Sequence, residues 1–133
     1  MEHPENRTTR RSRIALGGAL ITMGALHVAV PKTFERMIPD ALGAPRFWNL
    51  LSAATETASG ALLLSGRPER RRLGGALATA TFVGVYPANI KMALDAGRPT
   101  SSWWAAGSWA RLPLQFPLIA WALRHAKGPG ARY

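Results

Sequence analysis

The sequence predicts an all-α fold, a four-helix transmembrane bundle with both termini on the cytoplasmic side. Three observations lead there. Four stretches carry few charges, at about 14–30, 47–65, 73–94 and 103–123, each near the ~17–25 residues that cross a hydrocarbon layer. The basic residues alternate between the connections. Trp48, Trp103, Trp104 and Trp121 sit towards the ends of the stretches, and Trp109 reads as ordinary packing.

The first stretch has no Lys, Arg, Asp or Glu, and Pro31 ends it. The second is interrupted by Asn49, Ser52, Thr55, Glu56, Thr57 and Ser59. The third is apolar from Leu73 to Ala88, and Gly97 and Pro99 end it. The fourth contains Arg111, Pro113, Gln115 and Pro117. Each of those prolines removes an N–H from the helix ladder, so a kink is expected there. Between spans one and two, residues 33–37 form a short interfacial helix in this reading, with Phe34 and Met37 facing lipid. Residues 1–12 read as a basic disordered tail, 13–125 as the membrane domain and 126–133 as a second disordered tail.

Charge sets the orientation. The 133 residues carry 17 Lys and Arg against 7 Asp and Glu, a formal charge of +10. Eleven of the basic residues fall before span one, between spans two and three, and after span four. Only four (Lys32, Arg36, Arg46 and Arg98) fall in the alternate connections. Cytoplasmic loops are enriched in Lys and Arg, so both ends are expected in the cytoplasm of a multi-pass protein of the cytoplasmic (inner) membrane. The expected partner is the lipid bilayer. A nucleic-acid binder would gather its charge on one face instead of alternating it at span length. Basic residues before an apolar run also describe a signal peptide, but three further stretches favour an uncleaved first helix. The near-zero mean hydropathy averages Arg-rich connections with apolar stretches.

Cysteine is absent, which excludes thiol chemistry and Cys-ligated metal. One histidine and one carboxylate within the spans are too few for a metal cage, and no phosphate loop or nucleophile elbow appears. No catalytic residue is assigned, and the reading leans away from an enzyme. The candidate site is a polar cavity built from His27, Glu56, Tyr86, Asn89, Arg111 and Gln115. At 1.5 Å per residue, His27 lies about 5 Å from the outer end of its span, Glu56 about 13 Å deep, Tyr86 and Asn89 about 12 and 7 Å, and Arg111 about 12 Å. All fall in the outer half of the bilayer. Asn49, Ser52, Glu56 and Gly60 share one helix face. Glu56 and Arg111 carry opposite charge at similar depth, so they are expected to pair, bidentately if geometry permits. The competing use of the same residues is interhelical hydrogen bonding. Gly17, Gly18, Gly24, Ala53, Ala54, Gly60, Gly74 and Gly75 are expected at close helix contacts.

Short pieces of this pattern invite a family comparison. They are His27 with Pro31 and Phe34, Ile38-Pro39, Leu51-Ser52 leading to Glu56 and Gly60, Pro87-Ala88-Asn89, and Arg111-Leu112-Pro113-Leu114-Gln115. In order and spacing the chain resembles the DoxX-like family of small bacterial membrane proteins over about residues 14–123, with Ala53 where that family often has glycine. The resemblance implies a four-helix membrane bundle. Its association with redox systems implies a quinone or similar lipophile as ligand and other membrane redox subunits as partners. The leading expectation is an accessory or small-molecule-binding component of the bacterial envelope. The alternatives are a quinone- or redox-linked oxidoreductase subunit and a small proton-coupled transporter using Glu56.

Overall fold

The computed structural model describes residues 4–38 and 40–128, and residues 1–3, Pro39 and residues 129–133, with the parts of the two expected tails that fall there, lie outside them. The described residues are all helical and turn, with no strand. Five α-helices follow in order: α1 (Arg7–Ala29), α2 (Pro31–Glu35), α3 (Pro45–Leu63), α4 (Pro68–Ala96) and α5 (Trp103–Lys127), with a 3-10 turn at Asp40–Leu42 before α3.

The helix boundaries follow from capping chemistry. Asn6 caps α1, its Oδ1 accepting from Thr9 N at 2.7 Å. Ser102 caps α5, its Oγ accepting from Ala105 N at 3.0 Å. Pro31, Pro45 and Pro68 open α2, α3 and α4, where the missing N–H would have no helical partner in any case. Gly97, at φ +87°, ends α4 in a conformation that side chains disfavour. The segment 7–12, expected as part of a disordered tail, is instead the first turns of α1. The Asn6 cap and arginines that favour helix explain the difference. Helix α4 likewise runs back through Arg70, Arg71 and Arg72 to Pro68.

Helix α1 packs on α3, α3 on α4 and α4 on α5. The buried positions of α1 (Arg13, Leu16, Gly17, Leu20, Gly24, His27) and of α3 (Asn49, Ala53, Glu56, Ser59, Gly60, Leu63) recur at helical spacing, giving each a single inner face. Small residues bring the backbones together. A Cβ on Gly60 would stand 2.6 Å from the Gly17 carbonyl oxygen, and one on Gly74 would stand 2.9 Å from that of Ser59. Gly18, expected at a contact, faces open space. A core of Leu16, Leu20, Leu63, Ala78, Phe82 and Ala122 joins all four long helices, with Leu118, Ile119 and Trp121 packed against it. Helix α1 also meets α5 directly, where Trp121 Nε1 donates to Ser12 Oγ at 2.7 Å.

Among the described residues one helix, α1, is long and apolar enough to cross a membrane, and a soluble core helix or a signal sequence passes the same test. The polar residues within α3 and α5 and the arginines opening α4 lower their mean hydropathy. The four-span reading therefore does not follow from helix composition.

The candidate His–Asn–Glu site

The Gly-lined contact between α1 and α3 carries His27 to the polar face of α3. His27 is at the last turn of α1, where a carbonyl normally seeks an external partner. Its own carbonyl would be met by the amide four residues on, but that residue is Pro31, which has no N–H. Asn49 supplies the partner, Nδ2 donating to the His27 carbonyl at 3.0 Å. This fixes the amide orientation, so Asn49 Oδ1 faces the imidazole and accepts from Nδ1 at 2.6 Å. Phe34 stacks on the other side of the ring, with centroids 3.9 Å apart. Phe34 therefore turns inward from α2, and Met37 is buried. Met37 is therefore not outward-facing as expected, and Phe34, half-buried, finds a flat partner in the imidazole.

Glu56 completes the site. Its side chain is buried, and Oε2 lies 3.2 Å from His27 Nε2. That contact is within ion-pair distance but not aligned as a hydrogen bond, and Oε2 accepts no aligned hydrogen bond among the described residues. The donor count then constrains the chemistry. Nδ1 carries a proton because Asn49 Oδ1 only accepts. A neutral ring so protonated has a bare Nε2, and an ionised Glu56 also presents only lone pairs. Two bare acceptors at this distance repel, so the geometry requires one more proton, on Nε2 or on Glu56. The site is a buried His–Glu pair whose facing atoms stand close enough to share a proton.

The remaining candidates form a separate group. Asn89 Nδ2 on α4 donates to Gln115 Oε1 on α5 at 3.3 Å, and Gln115 Nε2 donates to the Phe82 carbonyl at 2.7 Å. Tyr86 packs its ring against Phe116, with centroids 5.8 Å apart. Arg111 is exposed and directs Nη1 to Met92 Sδ at 3.6 Å. The expected Glu56–Arg111 pair does not form. Helix α3 lies between α1 and α4, whereas α5 faces α4, so the carboxylate meets His27 and the guanidinium meets Met92. Lys91 pairs with Asp95 one turn on.

A second polar cluster went unforeseen in the sequence. Arg13, 5 % exposed, forks onto Glu5, with Nε to Oε1 and Nη2 to Oε2 both 2.8 Å, while Nη1 donates to the Leu63 carbonyl. Arg71 Nη1 reaches Glu5 Oε2 at 3.4 Å, and its Nε donates to the Ser65 carbonyl at 2.6 Å. The hydrogen bond from Arg13, opposed by burial, and the nearby guanidinium charges hold the Glu5 carboxyl below its ordinary value of 4.5. His125 stands 3.3 Å from Ser12 Oγ. Burial first, then the Arg13 charge, pushes its imidazole below the ordinary 6.5. Glu5 and Arg71 are 66 residues apart, and no local pattern in the sequence marks them as partners.

No curated protein and no solved structure matches the chain. The family match is not to the DoxX-like proteins, so that resemblance is corrected: its pieces are a few residues each, and their order is insufficient to define the family. The matching family model is that of a domain of unknown function, DUF8561, over residues 16–126, which include the C-terminal part of α1, all of α3 and α4 and nearly all of α5, and the chain belongs to that family.

Proposed function

We propose that this is a four-span protein of the cytoplasmic membrane with both ends in the cytoplasm, an accessory or small-molecule-binding component of the bacterial envelope whose working site is His27–Asn49–Glu56. Large apolar residues are spread over the surface, and several polar ones lie inside beside the apolar core. Leu50, Leu73, Val83, Leu94, Leu114 and Phe116 are exposed, whereas Asn49, Glu56, Ser59, Ser108 and Gln115 are buried. Water would penalise that distribution, and lipid would not. The four long helices measure about 28–44 Å at 1.5 Å per residue: α1, α4 and α5 exceed a hydrocarbon core of about 30 Å, and α3, the shortest, nearly matches it. The loop charges set the orientation, which puts His27 and Asn49 in the outer half.

The observation that carries the site is Glu56 Oε2, buried without an aligned hydrogen bond beside His27 Nε2. An ionisable group kept in that state within a membrane marks a proton or ligand site. The ligand it suits is a hydrogen-bond donor that completes Oε2. A second reading, a small proton-coupled transporter with Glu56 as the carrier, is favoured by the same shared proton.

Single cysteines test the topology, since the chain has none of its own. An impermeant thiol reagent on intact spheroplasts should label Ala41→Cys and Ser101→Cys but not Ser65→Cys. Labelling of Ser65→Cys alone, or release of the protein by carbonate, would overturn the topology. Loss of cellular function in Glu56→Gln, with folding retained, is the expected outcome for the site. Full function in that variant would reduce the site to packing.

A further inference from the structure

The Glu5 cluster opens onto a cleft of about 560 Å³ lined by Arg10, Arg13, Ile14, Leu64, Arg71 and the Ser65–Gly66 turn as well as Glu5. We propose that this cleft is a phosphate-binding site that takes the headgroup of an anionic phospholipid, with Glu5 as a resident carboxylate that the phosphate displaces. Three guanidinium groups line the cleft against one carboxylate. Arg10 forms no ion pair among the described residues. Arg13 is held by burial and by the Leu63 carbonyl, and its fork already grips a planar bidentate anion in Glu5. Phosphate oxygens suit the same fork. Arg71 is anchored by the Ser65 and Gly66 carbonyls, so its remaining nitrogen points at the anion.

The apolar part of the lining favours a lipid source. Ile14 and Leu64 are both exposed beside the arginines, giving a glycerophospholipid an acyl contact next to its phosphate. Glu5 precedes the Asn6 cap, outside the helix, so it can leave without unwinding α1. The assignment to the inner leaflet rests on the four-span reading. Recognition of phosphate by the arginines does not.

The test uses the full chain, purified in detergent, stripped of lipid and followed by native mass spectrometry. The probes are phosphatidylglycerol, phosphatidylcholine, glycerol 3-phosphate and inorganic phosphate. Phosphatidylglycerol should bind more tightly than phosphatidylcholine. Arg10→Gln should weaken its binding about fivefold, the effect of about one basic residue near an anionic surface. Glu5→Gln should tighten it by removing the competing carboxylate. The Arg10 side chain makes no hydrogen bond or ion pair among the described residues, so Arg10→Gln separates binding from folding. Binding of glycerol 3-phosphate or inorganic phosphate that is equally sensitive to Arg10→Gln would support the phosphate site and assign its source to soluble anions. Equal binding of the two lipids with no soluble anion bound, or indifference to Arg10→Gln, would overturn the proposal. The soluble-phosphate arm needs no bilayer, so its failure is distinguishable from failure of the four-span topology.

Discussion

Replacing Asn49 by leucine separates a working polar bridge from a passive one. Asn49 is 1 % exposed and makes two hydrogen bonds to His27, one to its ring and one to its carbonyl. Leucine nearly preserves the volume, so cavity cost is small and the loss reports the polar contacts. Hydrogen bonds between membrane helices average about 0.6 kcal/mol and reach about 1.7. Two of them therefore give about 1–3 kcal/mol. The His27 carbonyl takes the loss towards the upper end, because Pro31 cannot replace the missing donor and an orphaned buried group costs about 1–3 kcal/mol. The assay is reversible unfolding in bicelles, with Asn49→Asp alongside. Aspartate keeps the acceptor for Nδ1 but sets a lone-pair oxygen against the His27 carbonyl, so its loss should be at least as large. A loss below about 0.5 kcal/mol for Asn49→Leu, the size of an ordinary surface change, would refute the bridge.

Other variants follow from the same geometry. Gly75→Ala should destabilise by about 1–3 kcal/mol on overpacking, because its Cβ would stand 2.6 Å from the His125 carbonyl carbon and 2.9 Å from the Ala122 carbonyl oxygen. Gly18→Ala meets nothing within 4 Å and should be neutral or stabilising by up to about 1 kcal/mol; the two are compared by unfolding midpoint. Arg111→Met should leave stability nearly unchanged, since Arg111 is exposed and touches Met92 sulfur rather than Glu56, and a large loss in the same assay would restore the discarded Glu56–Arg111 pair. Acid should weaken the Glu5–Arg13–His125 cluster. Glu5 and His125 both titrate below their ordinary values of 4.5 and 6.5, so the folded state binds fewer protons and stability falls as pH drops, first below 6.5 from His125 and then below 4.5 from Glu5. Unfolding midpoints against pH should show the lower step disappear in Glu5→Gln.

The helices were legible because local chemistry sets them. Pro31, Pro68 and Gly97 mark ends, and the 7- and 4-residue spacing of Asn49, Glu56 and Gly60 on α3 gives the buried face found in the fold. His27 and Glu56 were recognisable as costly polar groups in apolar surroundings. Their partnership was not, because charge and depth say nothing of lateral order. Arg111 seemed the natural partner at matching depth, yet α5 packs on α4 and leaves α3 to α1. The reach of α1 back to Arg7 was hidden for a different reason. Polar, arginine-rich sequence reads as disorder until Asn6 caps it and Glu5 folds onto Arg13 and Arg71. Phe34 misled in the opposite way: apolarity suggested lipid, and the imidazole ring took it instead.

The shared proton between His27 and Glu56 is the claim on which the proposed function stands. Nitrogen-15 NMR of the histidine rings in lipid, with carbon-13 on the Glu56 carboxyl, observes it directly. The account predicts a proton on Nδ1 of His27 and one more on either Nε2 or Glu56, with the ring signals moving in Glu56→Gln. A neutral ring beside an ionised Glu56, with ring signals unmoved by Glu56→Gln, would contradict it.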